Sequence, residues 1–203
     1  MGAMETVVRD AVSGCVGLVA VCWVAGALYF GAQSPAGLRG WSARARSSLP
    51  ARLGLVAGVA VLVALGGGGR GRLWRHLQYW QPALAVLGVV VVVASTALLL
   101  WARWVLGTMW ASVPLVRQGH ELRTGGPYAH VRHPIYTGFL GLVLGGTLAE
   151  GLGLWLLIAA ACVPWLLHRV RVEDRLMAAE FGEQYAAYRR RVPALAPRLP
   201  HRN

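Results

Sequence analysis

Residues 80–101 read WQPALAVLGVVVVVASTALLLW, an uncharged stretch that begins and ends with tryptophan. At a rise of ~1.5 Å per residue, a helix of this length crosses a hydrocarbon core of ~30 Å. Tryptophan is enriched where such helices meet the two membrane–water interfaces. The stretch therefore predicts a transmembrane helix, and with it an all-α integral membrane protein.

Four further apolar runs lie on either side of this helix: 11–32, 53–69, 135–149 and 151–167. The last two are separated by Glu150 and predict a tight helical hairpin, although each is short for a full crossing. We therefore expect about five transmembrane helices in a single domain, 1–203, with three in 1–101 and the hairpin in 102–203. The alternative is a four-span protein in which 53–69 does not cross.

The composition agrees with a membrane protein, since 56% of the residues are apolar, 14% are charged and the mean hydropathy is +0.51. The net charge of +12 comes from 20 Arg without any Lys. These Arg cluster between the apolar runs, where they can meet lipid headgroups, so we expect membrane lipids as partners and neither nucleic acid nor a protein partner. The three Cys lie inside apolar runs and are expected to be buried hydrophobes.

Arginine placement also predicts the orientation. Sixteen of the 20 Arg fall in the loop 33–52, in the region 102–134 or in the C-terminal region, and the positive-inside rule places these segments in the cytosol. The first apolar run is too long for the core of a signal peptide and lacks a clean cleavage site, so we expect it to be retained. We expect a multi-pass protein of a bacterial plasma membrane, with its functional site facing the cytosol.

A polar motif, GPYAHVRHPIYTG at 126–138, interrupts the apolar sequence just before the hairpin. Its Gly and Pro residues restrict the backbone to a set shape at the start of a helix, and helix N-termini attract anions. Arg132 and His133 add side-chain donors there and predict a site for a carboxylate or phosphate. The alternatives are an Arg-His pair that contacts lipid headgroups and, for His133 alone, a packed histidine.

A second polar cluster, with Arg169, Glu173 and Asp174, follows the second arm of the hairpin. Arg169 and Glu173 share one helix face at i and i+4, so a solvated, salt-bridged helix end is the simplest interpretation. The hairpin, however, returns this cluster to the side of the motif, and the two clusters are expected to face one another. An amphipathic helix is predicted to follow, on the membrane face or against the motif, from the spacing of Leu176, Met177, Phe181, Tyr185, Tyr188 and Val192.

Three motifs in this order resemble those of the isoprenylcysteine carboxyl methyltransferase family and its phospholipid methyltransferase relatives. They are Gly-Pro-Tyr-x-x-Val-Arg-His-Pro-x-Tyr-x-Gly at 126–138, the segment 169–174, and Phe-Gly-Glu-Gln-Tyr-x-x-Tyr at 181–188 with Val192-Pro193 after it. The resemblance covers roughly 104–197. It implies an integral membrane transferase that takes S-adenosylmethionine from the cytosol and a lipophilic small-molecule or lipid substrate from the bilayer, with 102–203 as the catalytic half.

The resemblance also implies the site residues. By motif position the cofactor would be bound by Tyr128, His133, Pro134, Tyr136, Gly138, Glu173 and Asp174. Asp174 departs from the family, which has a second glutamate there, and its side chain is one methylene shorter. Arg169 matches the family arginine that holds the substrate near the reactive methyl group, and Arg132 is expected to serve the same anion. The catalytic residues would thus be Arg169, Arg132 and Glu173, without a metal.

A sulfonium methyl group is already activated, so its transfer requires mainly that the nucleophile is aligned behind it. A carboxylate, as in isoprenylcysteine-type O-methylation, or a thiolate could be oriented by Arg169. An amine or hydroxyl, as on a lipid headgroup, would need a base, and Glu173 and His133 are the candidates. Two other functions remain open: an NADPH-dependent oxidoreductase similar to the membrane sterol reductases, which are much longer chains, and a non-enzymatic transporter or scaffold, which would leave the paired motifs unexplained.

Overall fold

The structure, a computed structural model, describes residues 2–32, 79–107, 122–151 and 153–197. Within these ranges the chain forms a 3₁₀ turn, Gly126–Ala129, and four α-helices: α1 Ala3–Ala32, α2 Pro82–Leu106, α3 Pro134–Glu150 and α4 Gly153–Arg191. Three of the described helices contain stretches long and apolar enough to cross a membrane, namely Ala3–Gly26, Pro82–Leu106 and Trp155–Arg191. The predicted all-α membrane fold is confirmed. The predicted span 53–69 lies outside the described residues, so the choice between four and five spans stays a prediction.

Helix α2 is the predicted helix of 80–101, and Pro82 lies at its N-terminus, where its fixed φ is favourable and its missing N–H is not needed. One of its faces is buried, with Ala85, Val92 and Leu99 at most 1% exposed. The opposite face carries valines that are more than half exposed, such as Val90. This division is expected of a helix that packs on one side and meets lipid on the other.

Helices α2 and α3 approach closely because glycines line their contact. A Cβ at Gly88 of α2 would lie 2.4 Å from the backbone nitrogen of Ala149, and one at Gly138 of α3 would lie 2.5 Å from Leu99 Cγ. Lipid gives no hydrophobic drive to helix association, so close van der Waals contact between small residues is the main source of stability here. The contact holds the first turn of α3, and the motif before it, against the C-terminal half of α2.

Helix α1 runs parallel to α2. Val8 shares a buried apolar cluster with Ala85 near the start of both helices, and Gly26 lies against the guanidinium of Arg103 near their ends. The two helices therefore begin on the side of the α3–α4 turn and end on the side of the motif. Helix α2 runs on to Leu106, beyond the predicted end at residue 101, and so includes Arg103, a charged residue that is only 4% exposed.

The predicted hairpin is present as α3 and α4, which are joined at Gly151 with a φ of 94°. The indole nitrogen of Trp80 donates a hydrogen bond to the carbonyl of Ala149 at 3.1 Å and ties the turn to the start of α2. The second arm does not end near residue 167, as its apolar run suggested. It continues into the predicted amphipathic segment as far as a break at Gly182, because the residues that follow are good helix formers.

A break in α4 directs the end of the chain back to the motif. Gly182 has a φ of 47° and a ψ of −122°, outside the helical region, and its position is exposed. Beyond it Tyr185, Tyr188 and Val192 form a buried cluster against which Leu122 packs. Most of the amphipathic face predicted for this segment therefore packs against the chain that precedes the motif, but Leu176, which was predicted to belong to it, is 39% exposed.

The close contact of α2 and α3 leads to a stability prediction. Gly88→Ala should lower the thermal midpoint of the protein in detergent, because overpacking a tight contact typically costs ~1–3 kcal/mol. Gly17→Ala is the matched control, since Gly17 is also inside a helix but no atom lies within 4 Å of a Cβ built there. The control should be neutral or slightly stabilising. Equal midpoints for the two variants would show that the glycine contact does not hold α2 against α3.

Candidate active site

The motif loop is anchored to α2 before α3 begins. Gly126 has a φ of 59°, in the left-handed region that favours glycine, and starts the 3₁₀ turn. The turn buries Pro127 and Tyr128, and burial together with the nearby Glu173 carboxylate raises the pKa of the Tyr128 hydroxyl. The hydroxyl of Tyr128 lies 3.5 Å from the carbonyl oxygen of Ala102 in α2. Its own carbonyl accepts a 2.6 Å hydrogen bond from the hydroxyl of Tyr188, so Tyr128 connects the loop to α2 and to the C-terminal part of α4.

The guanidinium of Arg132 joins three parts of the chain. Its Nη2 lies 3.0 Å from Asp174 Oδ2, and its Nη1 donates to the carbonyls of Val192 at 2.6 Å and Arg189 at 3.4 Å. The side chain is only 7% exposed. A cation that caps the last carbonyls of a helix stabilises that helix end. The geometry thus gives Arg132 protein partners, where the sequence predicted a ligand anion.

His133 lies between the two acidic residues of α4. Its Nε2 is 2.9 Å from Asp174 Oδ1 and its Nδ1 is 3.4 Å from Glu173 Oε2. Burial by itself would lower the pKa of the imidazole, but the hydrogen bonds and charges of the two carboxylates outweigh it and the pKa is raised above its usual 6.5. An imidazolium that donates from both nitrogens has no lone pair for a proton, so this geometry disfavours His133 as a general base.

Glu173 and Asp174 are neighbours in sequence but differ in their surroundings. Both oxygens of Asp174 are occupied, by Arg132, His133 and the hydroxyl of Tyr185. Glu173 accepts a 2.6 Å hydrogen bond from the hydroxyl of Tyr136, and its side chain is 29% exposed against 14% for Asp174. A carboxylate has about four lone-pair sites, so Glu173 retains acceptor capacity toward a ligand.

Arg169 lies one turn before Glu173 on α4. Its Nε is buried without a hydrogen-bond partner within the described part of the chain, and its guanidinium carbon lies 5.9 Å from the ring centroid of Trp165. An unpaired buried donor is unfavourable by ~1–3 kcal/mol unless a ligand satisfies it. Arg169 is therefore suited to bind an anion beside Glu173.

The chain after α4 covers the N-terminal side of α3. The backbone N–H groups of Arg132 and His133 donate to the carbonyls of Pro193 and Ala194 at 2.8 and 3.0 Å. The hydroxyl of Thr137 donates to the carbonyl of Leu195 at 2.7 Å. The C-terminal segment is thereby fixed against the start of α3. The side-chain donors of Arg132 and His133, which were expected to attract an anion there, contact the carboxylates of α4.

The two predicted clusters do meet. The structure brings together Arg132, His133, Tyr136, Glu173 and Asp174, with Arg169 one turn away. Pro134 is buried at the first turn of α3, and Gly138 faces Leu99 of α2, where its lack of a side chain serves helix packing. Sequence analysis assigned no role in the site to Tyr185 or Tyr188. The feature that could have pointed to such a role was their place in the third motif. Among the described residues, no group of three or more His, Cys, Asp or Glu could hold a metal ion.

The part of the chain that contains this site is similar in sequence to known proteins. Residues 86–179 match the model of the isoprenylcysteine carboxyl methyltransferase (ICMT) family. Over 121 residues, 59% of this chain and 51% of the relative, the sequence is 36% identical to the cobalt-zinc-cadmium resistance protein CzcN of Cupriavidus metallidurans. Over 81 residues, 40% of this chain and 30% of the relative, it is 46% identical to methanethiol S-methyltransferase 2 of Bradyrhizobium diazoefficiens.

The fold also resembles a solved one, the eukaryotic intramembrane Ras methyltransferase ICMT, with a TM-score of 0.51 and 22% identity over 59% of this chain and 45% of that chain. At this identity the match concerns the fold alone. The chain spans about half the length of CzcN and less of the methanethiol enzyme. The resemblance predicted from the three motifs is confirmed: the family match covers the first two motifs, and 59% of the chain shares the fold of an ICMT structure.

Proposed function

We propose that this protein is an integral membrane methyltransferase that uses S-adenosylmethionine and methylates a lipophilic acceptor carrying a carboxylate or a thiol. The observation that carries the proposal is the pairing of Glu173, a part-exposed carboxylate, with Arg169, a cation whose buried Nε lacks a protein partner. Glu173 suits a cofactor rich in hydrogen-bond donors. Arg169 suits an anionic acceptor.

The residues present fit S-adenosylmethionine, whose ammonium group and ribose hydroxyls are donors that need acceptors. Glu173 would hold such a donor, with Tyr136 and His133 keeping the carboxylate in place. When bound, the cofactor supplies a methyl group on a positively charged sulfur, a strong electrophile that needs no metal. Asp174 and the two Nη atoms of Arg132 are directed at protein partners and would support Glu173 from the protein side. Arg132 Nε, like Arg169 Nε, is buried without a hydrogen-bond partner among the described residues.

The acceptor would be bound by Arg169. A guanidinium orients a carboxylate or thiolate through directed N–H donors, and alignment is the main requirement of methyl transfer. An anionic acceptor needs no base, which agrees with an imidazolium at His133. An amine or hydroxyl acceptor would leave Glu173 as the only one of the two predicted bases with a free lone pair. The name of the family and the name of the methanethiol relative both refer to acceptors that ionise.

The first test separates cofactor from acceptor binding by calorimetry in detergent. Glu173→Gln should weaken S-adenosylhomocysteine binding about ten- to a hundredfold, because a hydrogen bond to a charged group is worth ~1.5–3 kcal/mol. Arg169→Ala should leave that affinity nearly unchanged and abolish transfer of labelled methyl groups to a prenylcysteine analogue or a small thiol. Glu183→Gln, an exposed carboxylate on the same helix, is the control and should match the wild type.

Three results would contradict this assignment. Near-normal binding and turnover in both variants would mean that neither Arg169 nor Glu173 binds the cofactor or the acceptor. Binding of a nicotinamide dinucleotide in place of S-adenosylmethionine would favour the oxidoreductase alternative. Binding of neither cofactor would favour a transporter or scaffold.

The site is proposed to face the cytosol, where S-adenosylmethionine is made, in agreement with the distribution of Arg. A reporter that is active only in the cytosol should therefore work when fused to Asn203. The same reporter inserted between Gly151 and Leu152, in the turn at the opposite end of α3, should be inactive. The reverse pattern in well-inserted protein would place the site on the outside, away from its cofactor.

A further inference from the structure

A continuous chain of polar contacts runs from the buried Tyr185, in the C-terminal part of α4, to Glu173. The hydroxyl of Tyr185 donates to Asp174 Oδ1, and the same oxygen lies 2.9 Å from His133 Nε2. The other ring nitrogen, His133 Nδ1, lies 3.4 Å from Glu173 Oε2. Tyr185 is therefore linked to Glu173 through two intermediate side chains.

The two ends of this chain, Tyr185 and Glu173, differ most in exposure. Tyr185 is 1% exposed, and the side chains of His133, Asp174 and Glu173 are 6%, 14% and 29% exposed. A ligand at Glu173 has no access to Tyr185, and the oxygens of Asp174 are already taken by three donors. Among the contacts of the described residues, the side chain that joins Tyr185 and Asp174 to the Glu173 carboxylate is His133.

Only a charged His133 can hold both carboxylates, because a neutral imidazole has one N–H and could donate to one of them. The titratable and charged groups around His133 come from two segments. Its own segment contributes Arg132 and Tyr136, and α4 contributes Glu173, Asp174 and Tyr185. Farther away, Tyr128 interacts with Glu173, and Arg103 of α2 interacts with Tyr128. Asp174 makes the shorter of the two contacts with His133. It is therefore the group best placed to fix the charge and orientation of the ring.

We propose that Tyr185 and Asp174 are positioning residues that act through His133 to hold Glu173 in place for its ligand. Tyr185 and Arg132 orient the Asp174 carboxylate from two sides, Asp174 orients the ring, and the ring holds Glu173. This also accounts for an aspartate where the resemblance implies a glutamate, because the shorter side chain is met by donors that reach it. The identity of the ligand rests on the proposed function, but the arrangement of the residues does not.

A double-mutant cycle on S-adenosylhomocysteine affinity tests the linkage. Asp174→Asn should weaken binding about tenfold, as expected for a lost charged hydrogen bond. Tyr185→Phe should weaken it on its own but add little in the Asp174→Asn background, because residues in one hydrogen-bonded chain are coupled. Tyr188→Phe removes an equally buried hydroxyl from the same helix, and its effect should add fully to that of Asp174→Asn. Full additivity for Tyr185→Phe as well would overturn the proposal.

The charge of His133 gives a readout that needs neither activity nor ligand. With ¹⁵N-labelled histidine, assigned by comparison with His133→Gln, wild-type His133 should stay charged as pH rises through 6.5 and lose its proton only above that value. In Asp174→Asn its pKa should fall. The sign follows because the cationic form is the one that the carboxylates stabilise, so the stabilisation is present at low pH and is lost as pH rises through the raised pKa.

The two measurements separate this proposal from the proposed function. If the protein binds no S-adenosylhomocysteine but His133 titrates late and responds to Asp174→Asn, the contact chain stands and the cofactor assignment fails. If the ligand binds but His133 titrates near 6.5 in both proteins, the cofactor assignment stands and the positioning role fails. Where Asp174→Asn does not fold, the cycle is run with Glu173→Gln as the partner of Tyr185→Phe, and full additivity again overturns the proposal.

Discussion

The contact between two adjacent basic residues and two adjacent acidic residues is the constraint on which the rest of the site depends. Arg132 and His133 end the motif loop, and Glu173 and Asp174 lie on α4. The closest contacts are those of Asp174, which is 42 residues after Arg132 and 41 after His133. Partly buried charges are stable only when they are paired. The pairing therefore fixes how far α4 can slide or rotate relative to α3, and the hairpin and the C-terminal segment follow from that position.

Much of this arrangement could be predicted from local sequence features. The apolar runs gave the helices, the Glu150 break gave the hairpin, and the hairpin in turn brought the two clusters together. Helix length was harder, because α4 continues for residues that are polar but still good helix formers. The site residues followed from the three motifs in order.

The roles within the site could not be separated in the same way. Glu173 and Asp174 look equivalent in sequence, but successive residues on a helix point ~100° apart. The Glu173 side chain is 29% exposed, whereas the Asp174 carboxylate is enclosed by protein donors. Arg132 and Arg169 are both next to the site, and only the position of Val192 and Arg189 shows that the first has protein partners. Gly138 lies in a motif, yet its contact is with Leu99 on another helix, and such contacts leave no local pattern.

The length of α4 has a further consequence for how two dissimilar substrates could meet. At ~1.5 Å per residue, Arg169 lies ~24 Å and Glu173 ~30 Å from the start of α4 at Gly153, on the scale of a hydrocarbon core of ~30 Å. The cation thus sits one helical turn deeper than the carboxylate. An oily molecule could present its headgroup to Arg169 without being extracted from the bilayer, while a water-soluble donor could reach Glu173 without being desolvated in lipid. The part of α4 from Gly153 to Glu173 would then set the depth at which a methyl group passes from the water-soluble donor to the lipid-soluble acceptor.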